Sequence, residues 1–396
     1  MVEAQEPADA PRPPAPDGLA ARRRLYLGLV FALLGVSVGA GWDRRWHVEN
    51  VFDSFFSPPH LFIYSMVGLT MLTVASIVFR PRLRTAFGDG IALPGAPFPV
   101  PPALLFLCGG LGVIGLAGLF DSAWHTAFGL NETNWSLPHA MLGWGIFLTF
   151  AGFASCRLAL APFKPISSFG LFSFGFMLLS AAVNIIMGPI GNNNTPETVA
   201  AVAQYGTLPL QPSAQHTFRI YLEWNLDRTN PVMPVLGAVA AGVGLSLMRR
   251  FTQRRDLFLA VALVASALTL VSERALVRAL DVTGGPAAWL PLPIFPAALL
   301  YLFLVQRGVG EAGAWAATGV VFGALCLLVW GEGPLWAAAV LAAGPAMVFG
   351  ARAGARVHAI VERPAREQLS WFVPLVGLGL PALTGAVDLY LRAGTP

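Results

Sequence analysis

Two copies of one short pattern hold most of the histidines in this sequence. Each copy reads Asp-x3-His and reaches a further histidine after twelve or thirteen intervening residues. The copies consist of Asp43, His47 and His60, and of Asp121, His125 and His139. Four of the six histidines therefore stand at matching positions with a carboxylate. Imidazole and carboxylate groups are common metal ligands, so the repeated pattern predicts a duplicated metal site.

Two helices joined as a hairpin would bring each set of three residues together. On a helix, the aspartate and the first histidine lie one turn apart on the same face. The last histidine follows Ser57 or Ser136 and a proline, which predicts a helix start, since serine is a good N-cap and proline suits the first turn. Trp46 and Trp124 precede the first histidines. They are candidates to line the site, or equally to anchor helix ends at a membrane interface.

The metal is not determined by these residue types. Open sites with two histidines and one carboxylate are typical of non-haem iron, while imidazole also suits copper and zinc. Interfacial polar residues that satisfy loop backbone are an alternative interpretation of both copies. A haem held by two histidines is a further alternative, against which the carboxylate one turn before each first histidine argues.

The composition predicts a membrane protein. Hydrophobic residues make up 56% of the 396 residues and charged residues 12%, whereas a soluble domain carries about 25% charged residues. The lipid bilayer is therefore the expected surrounding, and the basic residues indicate topology rather than a nucleic-acid partner. Cys108, Cys156 and Cys326 occur singly in apolar runs, so we expect buried side chains rather than metal ligands.

Apolar runs predict an all-α, polytopic membrane bundle of about 11 transmembrane helices. The runs cover approximately 25–41, 59–80, 102–120, 138–160, 166–187, 232–248, 256–272, 288–306, 313–330, 335–351 and 369–390. Arginines recur in every second loop, and the positive-inside rule makes that face, with the N-terminus, cytoplasmic. Both metal patterns then lie on the periplasmic side of a bacterial inner membrane.

Three regions follow from these patterns. Residues 1–20 are rich in proline, alanine and acidic residues and predict a disordered tail. Residues 21–165 predict a four-helix metal-binding membrane module, and residues 166–396 a C-terminal helical membrane module.

The outer loop over residues 188–231 contains further candidate residues. His216 could serve as an extra ligand or a proton-transfer group, although a surface histidine is the simpler interpretation. Glu223 and Asp227 are accessory candidates, because they follow Arg219 at four-residue steps, which is typical of an amphipathic interfacial helix.

The duplicated pattern resembles the two metal sites in the C subunit of copper membrane monooxygenases, the family of particulate methane and ammonia monooxygenases. There, one site reads Asp-x3-His-x12-His and its neighbour Asn-x3-His-x13-His, on successive hairpins that face the periplasm. The resemblance covers about residues 22–165. It implies copper at both triads and hydroxylation of a small apolar substrate with O2. Asp121 stands where the family has an amide, and the remaining predicted helices follow the matching region.

The sequence leaves two classes of function open. The first is an O2-dependent monooxygenase, or a subunit of one, because the resembling family works with A and B subunits. The second is non-enzymatic copper uptake, storage or delivery, with a copper-delivery protein as partner. Other membrane subunits and a homo-oligomer are both compatible with either class, and no catalytic residue is assigned.

Overall fold

The computed structural model is helical throughout almost all of the residues that it describes. These are residues 16–40, 42–43, 46, 55–128, 136–160, 232–252, 254–264, 266–267, 294–330 and 334–393. Within them the only β pairing is an isolated bridge between Ile91 and Val100, and no strand forms. The predicted all-α class is confirmed for this part of the chain.

Helices follow one another along both halves of the chain. The first half contains α1 (Pro16–Leu34), α2 (Pro58–Val78), α3 (Pro81–Arg84), α4 (Pro102–Phe128) and α5 (Leu137–Ala159). The second half contains α6 (Val232–Thr252), α7 (Ile294–Gln306), α8 (Glu311–Trp330), α9 (Leu335–Glu362), α10 (Arg366–Pro374) and α11 (Leu380–Ala393). Turns of π-helix extend α1 over Gly35–Gly39 and join α10 to α11 over Leu375–Gly379.

Seven helices in the described part are long and apolar enough to cross a membrane. They are Pro58–Val78, Pro102–Trp124, Leu137–Ala159, Pro234–Thr252, Glu311–Leu328, Leu335–Glu362 and Arg366–Ala386. A multi-pass membrane protein is therefore confirmed. The apolar run 166–187 lies outside the described residues, so the total of about 11 stays a prediction, as does the orientation.

The first helix begins earlier than the sequence suggests. Residues 16–20, which the sequence assigns to a disordered tail, form the first turn of α1. Pro16 suits a first helical turn, and Asp17 interacts favourably with the positive end of the helix dipole. Because α1 also contains Arg22, Arg23 and Arg24, it is not among the seven apolar helices.

Close backbone contacts fix the α4–α5 hairpin. A Cβ atom on Gly152 would lie 2.5 Å from Leu107 Cα, and one on Gly110 would lie 2.4 Å from the Thr149 nitrogen. Only glycine allows helices to approach so closely, and the antiparallel order of these contacts defines the register. Continued to the open end of the hairpin, the register places Asp121 beside the first turn of α5.

The α1–α2 hairpin is built in the same way. Thr70 Oγ1 donates a hydrogen bond to the Gly28 carbonyl at 3.4 Å, and a Cβ on Gly39 would lie 2.6 Å from Ile63 Cγ1. These antiparallel contacts bring the residues after the Gly35–Gly39 turn to the start of α2. The aspartate of each copy thus lies beside the helix start that carries the last histidine of that copy.

Two hydrophobic cores hold the helices together. The first is formed mainly by α1, α2, α4 and α5, and the second by α6, α7, α8 and α9. Helix α6 joins them, because Val243 and Leu247 lie in the first core and Leu245 and Met248 in the second. Cys156 and Cys326 are fully buried, which confirms the expectation for those two cysteines.

Candidate metal centre

The first copy brings a carboxylate and an imidazole together across the α1–α2 hairpin. His60 lies in the first turn of α2, and its Nε2 atom is 3.0 Å from Asp43 Oδ1. The Asp43 backbone is helical and follows the Gly35–Gly39 turn by four residues. Single π-helical turns insert an extra residue into a helix and often occur at functional sites.

An aromatic side chain lies beside the His60 ring. Tyr64 lies four residues further along α2, with its ring centroid 5.9 Å from that of His60. Phe55 packs on Tyr64 at 4.9 Å between centroids. The His60 side chain is 13% exposed, so the first pair is held in a largely apolar and partly closed environment.

The second copy repeats the arrangement across the α4–α5 hairpin. His139 Nε2 is 4.0 Å from Asp121 Oδ1, and the His139 side chain is 32% exposed. Helix α11 lies against this end of the hairpin, since a Cβ on Gly385 would be 3.0 Å from Leu137 Cβ. The C-terminal half thus contributes to the surroundings of the second pair, which the sequence pattern does not indicate.

The two serines differ in what their side chains contact. Both Ser57 and Ser136 precede a proline-containing first turn, as predicted, but neither side chain caps its helix. Ser136 Oγ instead lies 3.1 Å from His139 Nδ1, within hydrogen-bond distance. Ser57 Oγ is buried and has no hydrogen-bond partner among the described residues.

The donor atoms in each pair are spaced as two ligands of one metal would be. Two atoms that each lie about 2.1 Å from a tetrahedral metal are about 3.4 Å apart. The separations of 3.0 Å and 4.0 Å lie on either side of that distance. A carboxylate oxygen and an imidazole nitrogen also suit copper, iron and zinc, so the residues fit a metal ion. An ion pair between a protonated histidine and aspartate is compatible with the same geometry.

The third residue of each triad is not placed by the structure. His47 lies outside the described residues. The His125 backbone belongs to α4, one turn after Asp121, but the structure does not describe the His125 side chain. The described residues contain no group of three histidine, cysteine, aspartate or glutamate side chains that could hold a metal, and they include neither His47 nor the His125 side chain.

The remaining candidates divide into two groups. Trp46 is half-buried and Trp124 is buried, each near the end of the hairpin helix that carries the aspartate. The accessory candidates His216, Glu223 and Asp227 lie outside the described residues, as does the whole outer loop over 188–231.

The sequence pattern did not predict two features of the Asp–His sites, the Tyr64 ring beside His60 and the Ser136 hydroxyl beside His139. Tyr64 could have been found from its helical spacing of four residues after His60. The direction of the Ser136 hydroxyl could not, because the same residue type and position predict a helix cap in both copies.

Comparison of the chain with models of protein families, with curated proteins and with solved structures found no match. The resemblance to a monooxygenase subunit consequently rests on the spacing of six residues.

Proposed function

We propose that this chain is a multi-pass membrane protein that binds copper at two sites on one face of the membrane. The observation that carries the proposal is the repeated juxtaposition of an aspartate oxygen and a histidine nitrogen, at 3.0 Å and 4.0 Å, at equivalent ends of two hairpins. His47 and His125 would complete the two triads. Ionisable side chains raise the free energy of a membrane protein, so two copies of an Asp–His pair favour a functional role for these residues.

We further propose O2-dependent hydroxylation of a small apolar substrate, by this chain alone or as one subunit of an assembly. When bound, copper would supply the redox chemistry toward O2. The chain's own residues would hold the metal and limit water, since the Tyr64 ring lies beside His60 and Phe55 packs on Tyr64. Phe56 and Leu61 present exposed apolar surface beside the first pair, which suits a substrate that arrives from the bilayer.

Metal analysis of the detergent-purified protein tests this proposal. We expect up to two copper ions per chain, and their loss when His47→Ala and His125→Ala are combined. His358→Ala is the matched control, because His358 packs on Phe251 far along the chain from either copy and its loss should leave the copper content unchanged. Wild-type copper content in the double variant would contradict the proposal. Iron or zinc in place of copper would show that the sites bind a different metal.

Non-enzymatic copper handling is the second candidate function. It is favoured by the greater exposure of His139, 32% against 13% for His60, because an exchangeable site must be reached by a donor or acceptor. Product formation from a small hydrocarbon and O2, with an added two-electron reductant that allows the second oxygen atom to leave as water, would favour the enzyme. Rapid removal of copper from the second site by a soluble chelator, without any such product, would favour copper transfer.

A further inference from the structure

The two copies hold their histidines by different means. In the second copy, Ser136 Oγ lies 3.1 Å from His139 Nδ1, while the opposite nitrogen, Nε2, faces Asp121. In the first copy, the corresponding Ser57 Oγ has no hydrogen-bond partner among the described residues. The difference is specific, because the two serines occupy the same position relative to helix start, proline and histidine.

A hydrogen bond at Nδ1 determines which edge of an imidazole ring faces a metal. Without it, rotation about the bond from Cβ to the ring exchanges the ring edges, and Nε2 is no longer held toward Asp121. Partners of the second ring nitrogen orient metal-binding histidines and raise their basicity. The serine hydroxyl can accept a bond from Nδ1–H when Nε2 binds a metal, and can donate one when Nε2 carries the proton.

We propose that Ser136 is a positioning residue that orients His139 for metal binding at the second site, and that Ser57 has no such role at the first. This inference rests on the proposed metal binding. His60 is held instead by Asp43 at 3.0 Å and by the adjacent Tyr64 ring. In the second copy the position corresponding to Tyr64 is Gly143, which offers no side chain for this purpose.

Helix capping does not account for Ser136. Its side chain makes no capping hydrogen bond, and proline already occupies the first turn of α5. Removing the hydroxyl should therefore leave the helix start intact. Ser136→Ala removes the hydroxyl most conservatively, and Ser136→Gly removes it while keeping a residue that is accepted at helix N-termini.

Single-site backgrounds separate the two copies. His60→Ala leaves only the second site, and Ser136→Ala, Ser136→Gly and Ser136→Thr are compared within it. His139→Ala leaves only the first site, where Ser57→Ala is the matched control. The copper dissociation constant is measured by competition with a chelator of known affinity, and the nitrogen couplings of bound Cu(II) by electron paramagnetic resonance.

We expect Ser136→Ala and Ser136→Gly to weaken copper binding at the second site by about tenfold or more, with altered nitrogen couplings. Ser136→Thr, which keeps a hydroxyl, should restore most of the affinity, and Ser57→Ala should change the first site little. Unchanged copper affinity in both Ser136→Ala and Ser136→Gly would contradict the role of Ser136, and so would an equal loss of affinity at the first site on Ser57→Ala. Either result would leave the proposed metal binding intact. If neither single-site background binds any metal, the proposed function fails and the inference fails with it.

Discussion

At the scale of single residues, the two aspartates lie at different distances from their histidines. Asp43 Oδ1 lies 3.0 Å from His60 Nε2, whereas Asp121 Oδ1 lies 4.0 Å from His139 Nε2. The 3.0 Å separation in the first copy is closer than the 4.0 Å separation in the second to the distance of about 3.4 Å between two ligands of one tetrahedral metal. We therefore expect the carboxylate charge to matter more for metal binding at the first site than at the second.

Asparagine substitutions test this difference. We predict that Asp43→Asn weakens metal binding at the first site by about tenfold or more, because the neutral amide loses the charge attraction and one strong donor oxygen. Asp121→Asn should weaken the second site less. Chelator competition in the two single-site backgrounds measures both changes. Equal losses at the two sites would contradict the assignment of different roles.

At the scale of elements, tight helix pairs determine where the functional residues meet. Helices α4 and α5 approach at Gly110 and Gly152 until a single added carbon would collide with backbone atoms. Interiors this densely packed do not absorb extra volume without displacement. A change in the hairpin register or spacing would therefore move Asp121 relative to His139, although neither residue is altered.

A pair of glycine substitutions on α4 tests the coupling between packing and the site. We predict that Gly110→Ala destabilises the protein by about 1–3 kcal/mol and lowers metal binding at the second site, because its Cβ would lie 2.4 Å from the Thr149 nitrogen. Gly112→Ala, whose Cβ meets nothing within 4 Å, is the control and should leave both unchanged. Thermal unfolding in detergent and copper titration provide the readouts. If the two variants behave alike, close packing does not position the site.

Local signals in the sequence were sufficient to predict the helix starts. Serine followed by proline in the first turn acts within a few residues, so the beginnings of α2 and α5 agree with the structure to within one residue. The π-helical turn at Gly35–Gly39 and the direction of the Ser136 hydroxyl were not predictable in this way. Both depend on how one helix packs against another, which a pattern of residue types along one chain does not contain.

At the scale of the whole molecule, the order of the hairpins supports a single functional face. The chain crosses by α4 and returns by α5, and the α1–α2 hairpin repeats this path before it. Residues 79–101, which include Asp89, connect α2 to α4. This connection lies at the end of the hairpins that is opposite to the Asp–His pairs. The two Asp–His pairs therefore lie at the same end of the bundle, while the positive-inside rule that makes this end periplasmic is a sequence argument.

Labelling of introduced cysteines tests this topology. We predict that Phe56→Cys reacts with a membrane-impermeant maleimide in intact cells, because Phe56 is 70% exposed beside the first pair. Asp89→Cys should react only after the membrane is opened. The buried native Cys156 and Cys326 should give little background. The reverse labelling pattern would place the metal pairs on the cytoplasmic side.

X-ray absorption at the copper edge tests most directly whether the Asp–His pairs bind copper. Wild-type protein loaded with copper should show oxygen and nitrogen ligands with the scattering of about two imidazoles per ion, as expected for an aspartate and two histidines. Combining His60→Ala with His139→Ala leaves one histidine in each set, so it should release the bound copper or lower the scattering to about one imidazole per ion. Copper that is held by sulfur, or imidazole scattering that persists unchanged in the double variant, would contradict the assignment.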